Sequence, residues 1–301
     1  MKKIILAAGV MLAMAFSCFA ANPESDFEYD LVPKAEVKLL AQQFKELNPN
    51  EDYIDITWYN GDDYAKLIEI PEEIEGCKVI KISHMGIPTK TEKIIVPASV
   101  VYIKEFTRSV PTIEFLRAKD SPFAWAGDVR MESMTELPTD RKIIFVNTNN
   151  IAKIYLPAME SFTWPKNWTC MYYGKSGDDY LEGWAKQGDK VLRNMKREFY
   201  AFPELKIASG YNKSEVIFEE GIEEIPVRLL ETCIKIVLPK SMKNVRNIND
   251  SYGFLIKFVS DVKGNIVIPE GAKINFMPGC ISGPLSISAK KALQAQGYNV
   301  D

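Results

Sequence analysis

One short phrase recurs five times along the chain: an aliphatic residue, any residue, a second aliphatic residue, then proline. It stands at Ile68-Glu-Ile70-Pro71, Ile94-Ile-Val96-Pro97, Ile154-Tyr-Leu156-Pro157, Ile236-Val-Leu238-Pro239 and Ile266-Val-Ile268-Pro269. Alternate aliphatics place two side chains on one face of a short strand, and proline, with no N–H to give, ends that strand's ladder. The residues after the proline repeat as well. Val100 and Ile103 come after Pro97 as Met242 and Val245 come after Pro239, in steps of three that suit a tight turn. A copy without proline runs Val216-Ile-Phe218-Glu-Glu-Gly221-Ile222-Glu-Glu-Ile225. A strand of this length cannot bury its own apolar face, so neighbouring rungs must stack and share one core. The pattern predicts an α/β repeat solenoid, a single right-handed array of short β-rungs.

These residues resemble a known family, the BspA-type leucine-rich repeats of bacterial surface proteins. The stretch from Ile56-Thr-Trp-Tyr-Asn-Gly61-Asp-Asp through Ile68-Glu-Ile-Pro71-Glu-Glu-Ile-Glu-Gly76-Cys-Lys-Val79-Ile-Lys-Ile82 is similar to the opening repeat of such arrays. Glu231-Thr-Cys233-Ile-Lys-Ile236-Val-Leu-Pro239 resembles an interior junction, and Pro278-Gly279-Cys280 the same turn. The resemblance covers residues 54–115 and 213–285, with a weaker match at 143–162. It implies a leucine-rich-repeat-like array, and it makes Cys233 and Cys280 inward-facing turn residues rather than nucleophiles. The rhythm departs from the family's: successive prolines of the phrase lie 26, 60, 82 and 30 positions apart, so several repeats are degenerate or interrupted.

The flanks read as caps. Ala35 to Leu47 carries Val37, Leu39, Leu40, Phe44 and Leu47 on one helical face and stops before Asn48-Pro49, a helix expected to pack against the first rung. Ser288 to Gly297 reads as a second helix, with Ser288 as N-cap, Leu293 inward and Gly297 at the stop. Between them, residues 160–212 break the rhythm and hold eleven aromatic residues. Tyr180, Trp184, Val191, Leu192 and Met195 fall at helical spacing and predict a helix from about Asp179 to Phe199. The expected layout is a signal peptide over 1–20, a helical cap region over 21–53, a solenoid over 54–287 with an α-rich insertion at 160–212, and a C-terminal helical cap over 288–301.

Lys2 and Lys3 precede an apolar run from Ile4 to Phe16 and the small residues Ser17 and Ala20, which reads as a secretory signal. Cleavage after Ala20 releases a soluble chain, whereas Ala15-Phe16-Ser17-Cys18 taken as a loose lipobox makes Cys18 a lipidation site and the chain a membrane-anchored one. Either route leads to a secreted, periplasmic or cell-surface location, with no transmembrane helix in the mature chain. Of 37 basic and 40 acidic residues, two lysines leave with the signal, so the mature chain is more acidic still. A nucleic-acid partner calls for the opposite sign. Cys77, Cys170, Cys233 and Cys280 remain, an even number that permits disulfides in an exported protein and fits buried free thiols equally well.

Chemistry is sparse. With one histidine, His84, the commonest general base and metal ligand is nearly missing, and no Gly-x-Ser-x-Gly elbow or Gly-rich phosphate loop occurs. Gly61-Asp-Asp-Tyr64 and Gly177-Asp-Asp-Tyr180 pair carboxylates, but turns and helix N-caps use the same residues. Asn167-Trp-Thr169 matches a glycosylation acceptor. The chain is therefore expected to be a non-enzymatic binding protein, adhesin-like, with no cofactor and no metal, that shows a broad face to a protein or a host or envelope surface component. The alternative is a carbohydrate-binding or cell-envelope structural protein, in which Trp164, Trp168, Tyr172 and Tyr173 form an exposed platform for a glycan. Filling the junction between insertion and rungs is the competing use of the same rings.

Overall fold

A computed structural model describes residues 22–147, 152–176, 180–186, 202–208, 214–246 and 254–300, with the backbone alone for 147, 171–176 and 180–186. Each of the five phrases forms a short strand: Leu67–Glu69, Lys93–Val96, Lys153–Leu156, Cys233–Val237 and Asn265–Val267. Ile68, Ile70, Ile94, Val96, Ile154, Leu156, Ile236, Leu238 and Ile266 are buried, and Ile268 is half-buried against the same core. The tight turns come directly after the prolines. Val100 N donates to Pro97 O at 3.2 Å, Met242 N to Pro239 O at 3.2 Å and Ala272 N to Pro269 O at 3.1 Å, which swings Val100, Met242 and Ala272 inward.

The described residues form 24 short strands in six sheets, with two α-helices. The longest sheet has nine strands, and its main path runs in chain order from Phe27–Leu31 through Tyr53–Tyr59, Cys77–Ile82, Tyr102–Ile103, Phe123–Ala126, Ile143–Asn147 and Trp168–Ser176 to Tyr180–Lys186. Pairing along that path is antiparallel at its two ends and parallel throughout between them. The other five sheets are parallel. Polar ties join one return of the chain to the next: Arg117 Nη1 donates to Ala98 O 19 residues away, Lys243 pairs with Glu223 at 20, and Arg228 Nε donates to Phe254 O at 26. One apolar cluster runs the length of these ladders, from Phe27 and Ile54 to Leu293 and Tyr298.

Strand alternation gives the long sheet a second apolar face. Ile80, Tyr102, Ala124, Ala126, Ile144 and Val146 alternate with residues of the main core and are buried in a separate cluster with Val37, Leu39, Leu40, Phe44 and Leu47. A parallel sheet must be covered on both faces. The N-terminal helix α1 (Lys34–Gln43) supplies that cover, sharing a buried cluster with Tyr53 of the first long strand and with residues of the strands that follow it. Lys81 pins it, with Nζ 2.7 Å from Glu36 of α1 and 3.0 Å from Asp55, while Ser83 Oγ donates to Asp55 Oδ2 at 2.6 Å. Glu46, beyond the helix, pairs with Arg117.

The second helix, α2 (Ile287–Ala295), packs against the strand Asn265–Val267. Its N-cap is Ser286 and not Ser288: the Ser286 hydroxyl accepts from Ala289 N at 3.1 Å. Leu293 is buried, and Gly297, at φ +80°, stops the helix as expected. The helix predicted from Asp179 is overturned where it is described. Tyr180–Lys186 is a strand, antiparallel to Trp168–Ser176; residues 187–199 of the prediction lie outside the described residues. A spacing of four, as between Tyr180 and Trp184, keeps one face of a strand as well as of a helix, and an available partner strand decides between them. No helix among the described residues is long and apolar enough to cross a membrane.

Candidate functional site

The aromatic platform expected of the insertion is not present at its two tryptophans. Trp164 ends the strand Ser161–Trp164 and Trp168 begins the next, and they are 0% and 2% exposed. They meet edge to face at 5.4 Å, between Phe145 and Phe162. Both indole N–H groups are used inside, Trp164 Nε1 donating to Trp168 O and Trp168 Nε1 to Pro138 O, each at 3.2 Å. Large rings at the inward positions of short rungs fill the space that smaller aliphatics leave. The Tyr172 and Tyr173 side chains, and Cys18, lie outside the described residues.

Three of the four thiols sit where burial disfavours the thiolate. Cys77 is half-buried; Cys170, Cys233 and Cys280 are buried, and all four are free. Burial pushes the Cys233 and Cys280 thiols up to about 12 and raises that of Cys170 as well, the reverse of what a reactive thiolate needs. The acidic pairs have structural work. Asp62 Oδ1 accepts from Tyr64 N at 2.9 Å in a turn, Glu220 accepts from Lys240 N and Ser241 N, Glu223 pairs with Lys243, and Glu224 with Arg246. Gly177-Asp-Asp lies outside the described residues. Among the described residues no three His, Cys, Asp or Glu side chains gather as a metal site.

One surface row stands apart. In the strand Tyr53–Tyr59, Ile54 and Ile56 point into the core, so plain alternation would send Trp58 there too. The pairing with Phe27–Leu31 slips, however: Trp58 opposes Glu28 while Ile56 opposes Tyr29, which leaves Thr57 as an extra residue. This bulge returns Tyr59 to the core and turns Trp58 outward, 38% exposed. The indole stacks on His84 with ring centres 5.1 Å apart and planes 18° off parallel. A Cβ on Gly86 would come within 2.6 Å of Trp58 Cζ2, so a glycine there is what lets the ring lie down on the chain.

His84 Nδ1 lies 3.3 Å from Glu105 Oε2, and the Met85–Phe106 bridge beside them keeps the two returns in register. The surface row therefore reads Glu28, Trp58, His84, Glu105 across four adjacent stretches of chain. Glu28 accepts from Asn60 Nδ2 at 2.7 Å. Elsewhere, neighbouring returns are joined by lysine–acid pairs such as Lys66–Glu92, Lys93–Glu114, Lys235–Glu215 and Lys257–Glu231. Neither Glu28 nor Glu105 has a Lys or Arg partner among the described residues. Chemically the row sets a partly exposed indole, stacked on an imidazole, between two carboxylates. No family model, no curated protein and no solved structure matches this chain.

Proposed function

We propose that the chain is an exported, non-enzymatic binding protein, adhesin-like, built as a right-handed leucine-rich-repeat-like solenoid that presents its surface to a protein or an envelope component. The solenoid reading is supported by parallel ladders that advance in chain order over one continuous core, and by the right-handed preference of parallel β connections. The observation that carries the binding role is Trp58: a backbone bulge turns a large aromatic side chain out of the core onto the solvent face. Aromatic anchors of this kind dominate binding energetics at protein interfaces. The glycan-binding alternative based on the insertion loses its two tryptophans to the core and has no comparable observation behind it.

The test is saturable capture of the mature chain, residues 21–301, by a panel of immobilised matrix and envelope proteins. Trp58→Ala is expected to weaken the capture. Absence of saturable binding across the panel overturns the reading.

A further inference from the structure

We infer that the row Glu28–Trp58–His84–Glu105 is a subsite for an arginine side chain of a basic partner segment. This rests on the reading of the chain as a binding protein and specifies the chemistry of its contact. Charge complementarity points to the ligand. At several points on the other ladders an acidic side chain on one return meets a lysine on the next, as in Lys93–Glu114 and Lys243–Glu223. Along this row the cation is missing: Glu105 faces the single histidine, and Glu28 faces an indole across the antiparallel pair. Between the two carboxylates of the row stands an indole that is 38% exposed and stacked on His84.

A cation over an indole is attracted by the ring's negative face, and tryptophan is the best of the aromatic residues for it. Arginine fits this site better than lysine, because its planar guanidinium stacks on the ring while its N–H fork serves a neighbouring carboxylate. Adjacent strands lie about 4.8 Å apart, so the row spans roughly 14 Å, too far for one side chain to touch both ends and suitable for an extended basic segment laid across the strands. A second arginine of that segment would then reach the other carboxylate. His84 braces the indole from one side and Gly86 leaves room beneath it, so the platform is held before the ligand arrives.

The experiment titrates labelled nona-arginine onto the mature chain at about 150 mM salt, where exposed charges more than about 8 Å apart are screened. Saturable binding is expected, weaker for nona-lysine. Trp58→Ala should weaken it about tenfold, and Glu105→Gln or Glu28→Gln roughly threefold each. Glu223→Gln, at an ordinary ladder pair, should leave it unchanged. Gly86→Ala, which pushes on the indole without removing it, should also weaken binding, and a denaturation midpoint for each variant separates this from unfolding. Any one of three results overturns the inference: no saturable binding, equal affinity for nona-lysine, or a Glu223→Gln loss matching that of Glu105→Gln. If the protein panel still captures the chain in such a case, only the arginine assignment fails and the binding-protein reading stands.

Discussion

Replacing Lys81 by Met should cost about 3–5 kcal/mol of folding stability, because it strands a buried carboxylate. Lys81, Asp55 and Glu36 have side chains about 10%, 9% and 20% exposed. At the observed separations of 2.7 and 3.0 Å, each ion pair contributes a gross attraction of about 5–6 kcal/mol at an effective dielectric of ~20, most of it offset by desolvation. Without the ammonium, Asp55 keeps only the Ser83 hydroxyl, and its Oδ1 already has no hydrogen-bond partner. The double variant Lys81→Met with Asp55→Leu removes charge and countercharge together and should recover most of the loss, since apolar replacement of a buried pair is often neutral. Urea unfolding of the three proteins measures this, and hydrogen exchange of α1 reports where the loosening occurs. A Lys81→Met loss under about 1 kcal/mol refutes this reasoning, because it means that α1 does not shield the network from water.

The same network has a pH signature. Burial pulls the Lys81 ammonium down, but Asp55 and Glu36 together outweigh it and hold its pKa above the ordinary 10.5. A lysine raised on folding stabilises below the unfolded value and loses that contribution as pH rises through the folded one. Wild type should therefore lose stability above about pH 10.5 by one proton more than the double variant does.

Other expected outcomes rest on the same geometry. Ile94→Ala should cost about 2–5 kcal/mol and Ile95→Ala about 1 or less, because Ile94 is buried and its neighbour half-buried; chemical denaturation decides. Trp168→Ala should cost about 3–5 kcal/mol, whereas Trp58→Ala, on the surface, should cost about 1 or less, read by thermal unfolding. An aromatic-thiol reagent should label Cys77 in the native protein and reach Cys170, Cys233 and Cys280 only on unfolding. Those buried thiols also bear on alkaline stability. The unfolded chain releases the Cys233 and Cys280 protons near pH ~8.5 and the folded one holds them to about 12, so stability should fall between these values by about 1.4 kcal/mol per pH unit per thiol. Removing Cys233 and Cys280 should flatten that slope.

Much of the fold was legible because its determinants are local. The five proline-ended phrases became strands with the expected faces inward, and the steps of three after Pro97 and Pro239 became tight turns. Both terminal helices were visible in their spacing. Errors arose where a choice depended on a distant partner. Phe27–Leu31 carries no repeat phrase and is a strand because Tyr53–Tyr59 offers it an edge. Tyr180–Lys186 fits helix and strand periodicity alike, and its pairing with Trp168–Ser176 settled it. The candidate site was hidden for the same reason. Alternation from Ile54 and Ile56 assigns Trp58 to the core, and only the bulge at Thr57, set by pairing with the N-terminal strand, turns it out. Trp164 and Trp168 were the reverse case, rings conspicuous in the sequence and fully used by packing.

The sequence alone determined the unit, a strand of two inward aliphatics closed by a proline and a turn, because proline chemistry and two-residue periodicity act within a few residues. It also determined that such units must stack, since none buries its own face. The tertiary structure decided what covers the stack. It laid α1 over the second face of the long sheet, packed α2 against the strand Asn265–Val267, sent Trp164 and Trp168 inside and left Trp58 on the surface beside the only histidine. Those outcomes depend on register and on which faces remain uncovered, quantities set by contacts between residues far apart in the chain.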